Sequence, residues 1–556
     1  MFFVNNIFHN LAKNLLFCDK RGENNNILGR KMSLFKSIAT FGGITLISRL
    51  TGFVRDVVLA NFLGAGAVSD AFFVAFKLPN LFRNLFAEGA FSAAFVPMIS
   101  QKLVSDGKKK SMFFASQAIS VLVFIVLGFV LLMELIMPHL IPLLAPGFAN
   151  EPEKIVLATS LCRITFPFLL FISIVSFQSG ILNSLNKFAA PASAPIILNF
   201  TMISAAFLVL PFKLLPAYGI AIGITTAGVL EVLWLAYFLH KQGVYIHPYI
   251  RVFKMFKNPE IKTLFKRIAP GILGAGIYQI NMAVDTILVS LVGTGAISWL
   301  YYANRLQQLP LGVVGAAISV ALLPVLSHYL KTEEVAEAKE AQDKAVEYGF
   351  LLSFPAAVML VVLAFPVVNI LFEHGKFSAS DTAMTSAAVI AYSFGLPAYV
   401  MVKALAPNFF ARGDTKTPVK YSVVVLLFNI VANLVLMQFF GHIGIAAATS
   451  LSAYISLGQY IHGLKKRGHW SLSKSLILRL CKIAMAAVFM GCAVFAAQRA
   501  AFYVFPNIYS SLWLIKCVIF GILGVIGLIV FLIFSWLFGI LRSSDLRLLL
   551  RRKKNA

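Results

Sequence analysis

The chain has 556 residues, of which 59% are hydrophobic and only 13% charged, with a mean hydropathy of +0.84. Soluble domains are about half apolar and about a quarter charged, so a string of three or four soluble domains of roughly 150 residues is excluded and a polytopic membrane protein is indicated. The formal charge of +26 does not indicate nucleic acid, because most Lys and Arg sit in short connectors between apolar runs, as in cytoplasmic loops, and not on one solvated face.

Residues 1–31 are polar and Asn-rich, without the apolar core and small-residue cleavage site of a signal peptide. They read as a leader that is either an upstream-start artefact or a cytoplasmic tail. From Met32 onward about fourteen apolar stretches are long enough for a ~30 Å hydrocarbon core, which ~20 helical residues cross. They cover 37–63, 70–101, 112–137, 155–184, 189–212, 217–240, 267–292, 298–328, 346–373, 381–410, 418–440, 442–463, 476–498 and 511–541. The fold class is therefore an all-α polytopic membrane protein. Its parts are the leader, an N-lobe over 32–241 with six helices, a basic linker over 242–266, a C-lobe over 267–464 with six more, and two helices with a basic tail over 465–556.

Connectors after even-numbered stretches carry Lys102, Lys108–Lys110, Lys187, Lys241, Arg251, Lys254, Lys331, Arg412 and Lys465–Arg467, while those after odd-numbered ones carry little more than Lys154, Lys213, Lys376 and Arg499. This asymmetry predicts a multi-pass protein with both termini in the cytoplasm. The five cysteines show no CxxC spacing and read as free packing residues.

The chain repeats itself. Asp56, Gly64, Gly66, Ala67 and Ser69 recur at one offset as Asp285, Gly293, Gly295, Ala296 and Ser298, and further on Ser92, Pro97 and Pro191 match Ser319, Pro324 and Pro418. The offset spans six predicted helices, an even number, so the two copies run the same way through the membrane. Such parallel repeats place a ligand site near mid-membrane between the halves.

Ionisable residues at membrane depth are costly and are functional candidates. Arg49, Arg55 and Asp56 lie in the first stretch, and Asp70, Lys77, Arg83 and Glu88 in the second; rises of 1.5 Å per residue put Arg49 and Arg83 each roughly 20 Å deep. Arg49 and Asp56 fall seven apart on one helix face, as do Asp70 and Lys77, so Asp56 and Lys77 read foremost as structural pairing residues. Arg49, Arg55 and Arg83 exceed the nearby carboxylates and read as anion ligands, with Ser48, Asp70 and Ser298 beside them. The second copy has Tyr278, Val284 and Trp299 where the first has Arg49, Arg55 and Asp70, so the basic cluster is laid on one half of a duplicated scaffold. Arg305 joins it from the second half. Asp285 with Gln279 and Asn281, together with Asp56, Lys77, Glu88 and Lys403, either couples an ion or pairs structurally. Glu231 either relays protons or packs through hydrogen bonds. Arginine suits a planar, multi-oxygen anion because its guanidinium makes bidentate contacts and keeps its charge, so a phosphate or pyrophosphate is the expected ligand. No Walker loop, HExxH, GxSxG elbow or paired Cys/His set occurs, so no enzyme activity, metal site or cofactor is expected, and the energy source is a membrane potential, a monovalent cation or product consumption.

The stretch "SRLTGFVRDVVLANFLGAGAVSDAFFVAFKLPNLFRNLFAEGAFSAAFVP", with "PGILGAGIYQINMAVDTILVSLVGTGAISWLYYANRLQQLPLGVVG" and "GDTKTPVKYS", closely resembles the murein lipid II flippases, the MurJ/MviN family of the multidrug/oligosaccharidyl-lipid/polysaccharide exporter superfamily. The resemblance implies two six-helix lobes, two C-terminal helices that hold a lipid tail, and movement of undecaprenyl-pyrophosphate-linked peptidoglycan precursor from the inner to the outer leaflet of the bacterial inner membrane. It implies that Arg49, Arg55, Arg83 and Arg305 are cavity arginines and Asp70 an important acid. Lipid II and membrane lipids are the implied partners, with the cell-wall synthesis machinery a further one, and the implied working form is a monomer. Asn304 and Gln308 stand where the family often has carboxylates, which leaves Arg305 less neutralised. A cation-coupled exporter of another amphipathic or lipid-linked substrate is the alternative, and it predicts acidic, apolar pockets in place of the arginines.

Overall fold

The computed structural model describes residues 25–84, 90–247, 249, 252–255, 257–505 and 512–540, and every regular element among them is helical. Ten described helical runs are long and apolar enough to cross a membrane. Glu88 lies outside the described residues, as do most of the leader and the C-terminal basic tail.

In chain order the first helices are α1 (Asn25–Leu63), α2 (Ala67–Arg83), α3 (Ala90–Ser105), α4 (Gly107–Leu144), α5 (Pro152–Thr165), α6 (Phe168–Ser184), α7 (Ala189–Leu208) and α8 (Pro216–Lys241). A single turn, α9 (Val252–Met255), leads to α10 (Pro259–Ser290) and α11 (Ala296–Pro310). Then come α12 (Ala316–Lys331), α13 (Val335–Val362), α14 (Ala364–Phe372), α15 (Ala379–Ala411), α16 (Lys416–Lys466), α17 (Lys474–Val504) and α18 (Trp513–Leu537). Pro152, Pro216 and Pro259 each open a helix at its first position, where the missing N–H is not needed. Asn258 and Ser473 cap their helices by accepting from Glu260 N and Leu476 N. The 51-residue run α16 is two helices, broken at Gly441 with φ 54° and ψ −131°, between the two stretches predicted to be separate spans.

Backbone contacts divide the chain into two compact units, one holding Glu23–Trp299 with Glu373–Asp381, the other Leu300–Phe372 with the chain from Thr382. In the first unit α7 and α8 form a close pair. Gly219 and Gly223, four apart on α8, face Ala205 and Val209, and a Cβ on Gly219 would come within 2.7 Å of the Val209 Cβ; small residues at this spacing let membrane helices approach closely. The sequence divides the lobes at the 242–266 linker, whereas this unit extends to Trp299. The reason is packing: α10 lies against α3 and α4, with Ile261 and Leu264 buried.

The second unit has its core where Leu326, Ala404, Phe409, Tyr460, Leu464 and Trp470 pack. A clasp beside it joins two loops. Asp414 accepts from Thr417 N at 3.0 Å and from Arg467, which also donates to the Thr417 hydroxyl at 2.7 Å. The Thr417 contacts, with help from Arg467, hold the Asp414 carboxyl well below the usual carboxylate range. The two C-terminal helices α17 and α18 pack on α13 and α14 through Leu363, Ile370, Val494, Phe520 and Leu523, and stack Phe489 on Phe534 at 4.4 Å.

Candidate functional site

The membrane-depth charges fall into separate groups, each held by its own helices. In the first, Arg55 of α1 is only 6% exposed. Its Nε and Nη2 donate to Asp56 Oδ1 at 3.1 and 2.8 Å, its Nη1 donates to Asn199 Oδ1 at 3.0 Å, and its plane lies 5.4 Å from the Phe76 ring centre. Asn199, on α7, donates in turn to the Ser48 carbonyl at 3.1 Å and to the Thr51 hydroxyl at 3.0 Å. One amide thus ties α7 to the stretch of α1 that carries the arginines. A buried guanidinium without partners would cost several kcal/mol; here a carboxylate, an amide oxygen and a ring face compensate it.

Arg49 is exposed, and the described residues give it no hydrogen-bond or ion-pair partner. The sevenfold spacing that suggested an Arg49–Asp56 pair does not produce one, because two helical turns separate the residues by about 10 Å along the axis whereas Arg55 is adjacent. Arg83 and Ser48 do come together. With Thr45, Ser176, Ser179 and Glu231 they line a cavity of about 310 Å³ among α1, α2, α6, α7 and α8.

Asp70 belongs to a different group. It stands in the first turn of α2, wholly buried, and its pair is Lys154 at 3.2 Å in place of the expected Lys77, again because Lys77 is two turns away. Asp70 Oδ1 accepts from Ser298 N at 3.0 Å and Ser298 Oγ at 2.7 Å, and Oδ2 accepts from Gly295 N at 2.7 Å. The carboxylate therefore caps the first turn of α11, satisfying amides that a helix start leaves without partners. Ser69 and Ser298 are equivalent positions of the two copies, and their hydroxyls meet at 2.8 Å.

The duplication is visible in the neighbouring contacts as well. Helices α2 and α11 begin at the equivalent residues Ala67 and Ala296, and α5 and α15 at Pro152 and Ala379. Where the first copy sets Lys154 against Asp70, the second sets the Trp299 indole N–H on Asp381 Oδ1 at 2.9 Å. The contact is kept while its chemistry changes from an ion pair to a hydrogen bond.

In the second unit Arg305 donates to the Tyr301 hydroxyl at 2.8 Å and to Gln308 Oε1 at 3.3 Å, with its plane 4.7 Å from the Tyr301 ring centre. Gln308 donates to Asn304. The two neutral residues that depart from the family pattern thus form a hydrogen-bonded chain around Arg305 in place of a carboxylate cage. Lys403 lies over the π-helical turn Leu311–Gly315, where a Cβ on Gly315 would sit 2.7 Å from its Cδ. Asp285 accepts from Asn281 at 3.2 Å, and Lys77 is half-buried in α2. Among the described residues no group of three His, Cys, Asp or Glu could hold a metal ion.

Sequence reasoning missed two residues. Asn199 gave no signal, since an amide within an apolar helix reads as packing. Lys154 was counted among loop charges, although its position opposite Asp381 in the repeat marks it as part of the same contact.

The family model for the lipid II flippase MurJ matches residues 59–514. A probable lipid II flippase MurJ of Rhizobium tropici is 37% identical over 94% of this chain and 98% of its own, and one of Rickettsia prowazekii is 34% identical over 90% and 97%. A solved structure, the lipid II flippase MurJ in an inward closed conformation, superposes with a TM-score of 0.75 at 29% identity over 90% of this chain and 98% of its own. An inward-facing multidrug resistance MATE family transporter of the MOP superfamily, 14% identical over 77% of this chain and 98% of its own with a TM-score of 0.63, shares the fold alone. By sequence over nearly its whole length and by its helical architecture, the chain belongs to the lipid II flippase MurJ family.

Proposed function

We propose that this protein moves lipid II across the bacterial inner membrane as a transporter, and that the pyrophosphate of the head group is bound by Arg49, Arg55, Arg83 and Arg305. The observation that carries the reading is the cavity that Arg83 and Ser48 line among five apolar helices, with Arg49 exposed on α1 in a chain of this family. Guanidinium groups match phosphate oxygens in pairs, and the absence of a Walker motif from the sequence directs attention to gradients as the energy source.

In this reading the chain crosses the membrane fourteen times with both termini in the cytoplasm, works as a monomer, and delivers its cargo to the cell-wall synthesis machinery. The head group enters from the cytoplasmic side, the two repeats rock about it, and the lipid tail stays in the bilayer along α17 and α18. Asp70, Lys154 and Ser298 stabilise one of the two end states by tying α2, α5 and α11 together. Membrane potential, or a monovalent cation taken up near Asp285, drives the cycle.

The test is the leaflet position of lipid II in cells depleted of this protein, read with an added enzyme that cleaves only outward-facing molecules. Loss of cleavage, restored by the wild-type chain but not by Arg83→Ala present at equal level in the membrane, is the expected outcome. Unchanged cleavage on depletion, with no second flippase present, would overturn transport; full rescue by Arg49→Ala, Arg55→Ala and Arg83→Ala alike would overturn the site.

A further inference from the structure

Glu231 is left without a part in this mechanism. It lies on α8 about ten residues from the end of the helix at Lys241, hence roughly 15 Å from it, and is 1% exposed. It lines the same cavity as Arg83 and Ser48. Charges that share a small cavity with low-dielectric walls interact far more strongly than the same charges across water, and a buried carboxylate persists where a cation compensates it.

The other charges near α8 are few. Helix α7 carries none, and α6 presents Ser176 and Ser179 to the cavity. From α5 come Lys154, paired with Asp70 and Glu151, with Glu153 and Arg163 both exposed. From α2 come Lys77, Arg83 and Asp70, the last held by Lys154; from α1 come Arg49, exposed, and Arg55, paired with Asp56. On α8 itself His240 and Lys241 close the helix end. Arg83 is the cation that lines the cavity with Glu231.

We infer that Glu231 is the internal counter-ion of Arg83 and competes with the pyrophosphate for it, so that the carboxylate neutralises the guanidinium in the empty carrier and is displaced when the head group binds. The inference rests on the assignment of Arg83 to the pyrophosphate. It gives the carrier a way to release its cargo, since a guanidinium leaving a phosphate has a carboxylate waiting in the same cavity. It also gives the empty carrier a lower net charge to carry through the return step.

The experiment measures binding of lipid II in detergent micelles and flipping of lipid II in reconstituted vesicles for the wild-type chain, Glu231→Gln, Arg83→Ala and the double variant. Glu231→Gln keeps the shape and removes the charge. It is expected to tighten binding about tenfold, the change that one pKa unit of interaction corresponds to, and to slow flipping, a split between affinity and turnover that a packing role would not produce. The Glu231 substitution has no effect on binding in the Arg83→Ala background. Equal or weaker binding by Glu231→Gln while Arg83→Ala binds weakly would overturn the counter-ion role and leave the anion site standing. Wild-type affinity in Arg83→Ala would instead overturn the anion site on which the inference rests. Should Glu231→Gln fold poorly, Glu231→Met is measured in the same way, and binding no tighter than that of the wild-type chain overturns the inference.

Discussion

Asp70 uses all four acceptor positions of its carboxylate inside the protein, on Lys154 Nζ, Gly295 N, Ser298 N and Ser298 Oγ. None remains for a ligand while these contacts hold. Its side chain is wholly buried and that of Lys154 is 3% exposed, and removing one partner of a buried pair leaves a charge without compensation, at a cost of about 3 to 5 kcal/mol. Asp70→Asn is therefore expected to lower the thermal unfolding midpoint of the purified protein by several degrees. Lys154→Met added to it recovers part of the loss, because the uncompensated ammonium is gone. A double variant whose loss equals the sum of the two single losses would show that the pair contributes nothing as a pair. The sequence marks Asp70 as an ionisable group at a helix start, but its partner was out of sight. The side chain spaced for pairing along the helix was Lys77, and the one that folding delivers comes from α5, more than eighty positions away.

At the scale of elements, the duplicated chain repeats its close approaches as well as its helices. The turn at Gly147 meets the end of α10, where a Cβ on Gly147 would lie 1.8 Å from the Ser290 carbonyl oxygen. The turn at Gly375 meets the end of α1, where a Cβ would lie 2.1 Å from Asn61 Oδ1, and Lys376 N donates to the Asn61 carbonyl at 3.0 Å. Asn61 and Ser290 are equivalent residues under the offset that relates Asp56 to Asp285. Both approaches are closed to any residue with a side chain unless backbone moves. Gly147→Ala, which introduces the clash against a carbonyl and not against a flexible side-chain tip, is expected to separate the turn from α10 and bias the protein away from this conformation. The measurement is labelling of Ser69→Cys by a membrane-impermeant thiol reagent in a cysteine-free chain: Ser69 is wholly buried here, so labelling rises several-fold if Gly147→Ala opens the contact and stays at the parent level if it does not. The repeat was legible in the sequence as a repeat. Which turn would meet which helix end was not, because that depends on how the copies are brought together and leaves no trace in local spacing.

For the whole molecule, hydropathy and the repeat were enough to give the all-helical membrane class, the break at Gly441 and the equivalence of α2 with α11. They divided the copies at the 242–266 linker, whereas α10 packs with the first unit; an apolar helix in lipid carries no mark of which neighbour it will choose. The excess of positive charge was legible too, and it bears on how the carrier is driven. A potential is worth about 2.3 kcal/mol per elementary charge per 100 mV, so a doubly anionic pyrophosphate leaving a negative interior is driven outward to the extent that its charge is not cancelled by arginines that move with it. Here Arg55 is already paired with Asp56, and Arg305 donates to the neutral Tyr301 and Gln308. The moving complex should therefore carry net charge across the membrane field in at least one half of the cycle. Flipping of lipid II by the protein reconstituted in vesicles is expected to accelerate when a potassium diffusion potential makes the donor side negative, and to slow when an ionophore collapses it. A rate that ignores the imposed potential would mean that every charge-moving step is fast or electrically silent, and would turn the search for the energy source to a cation at Asp285.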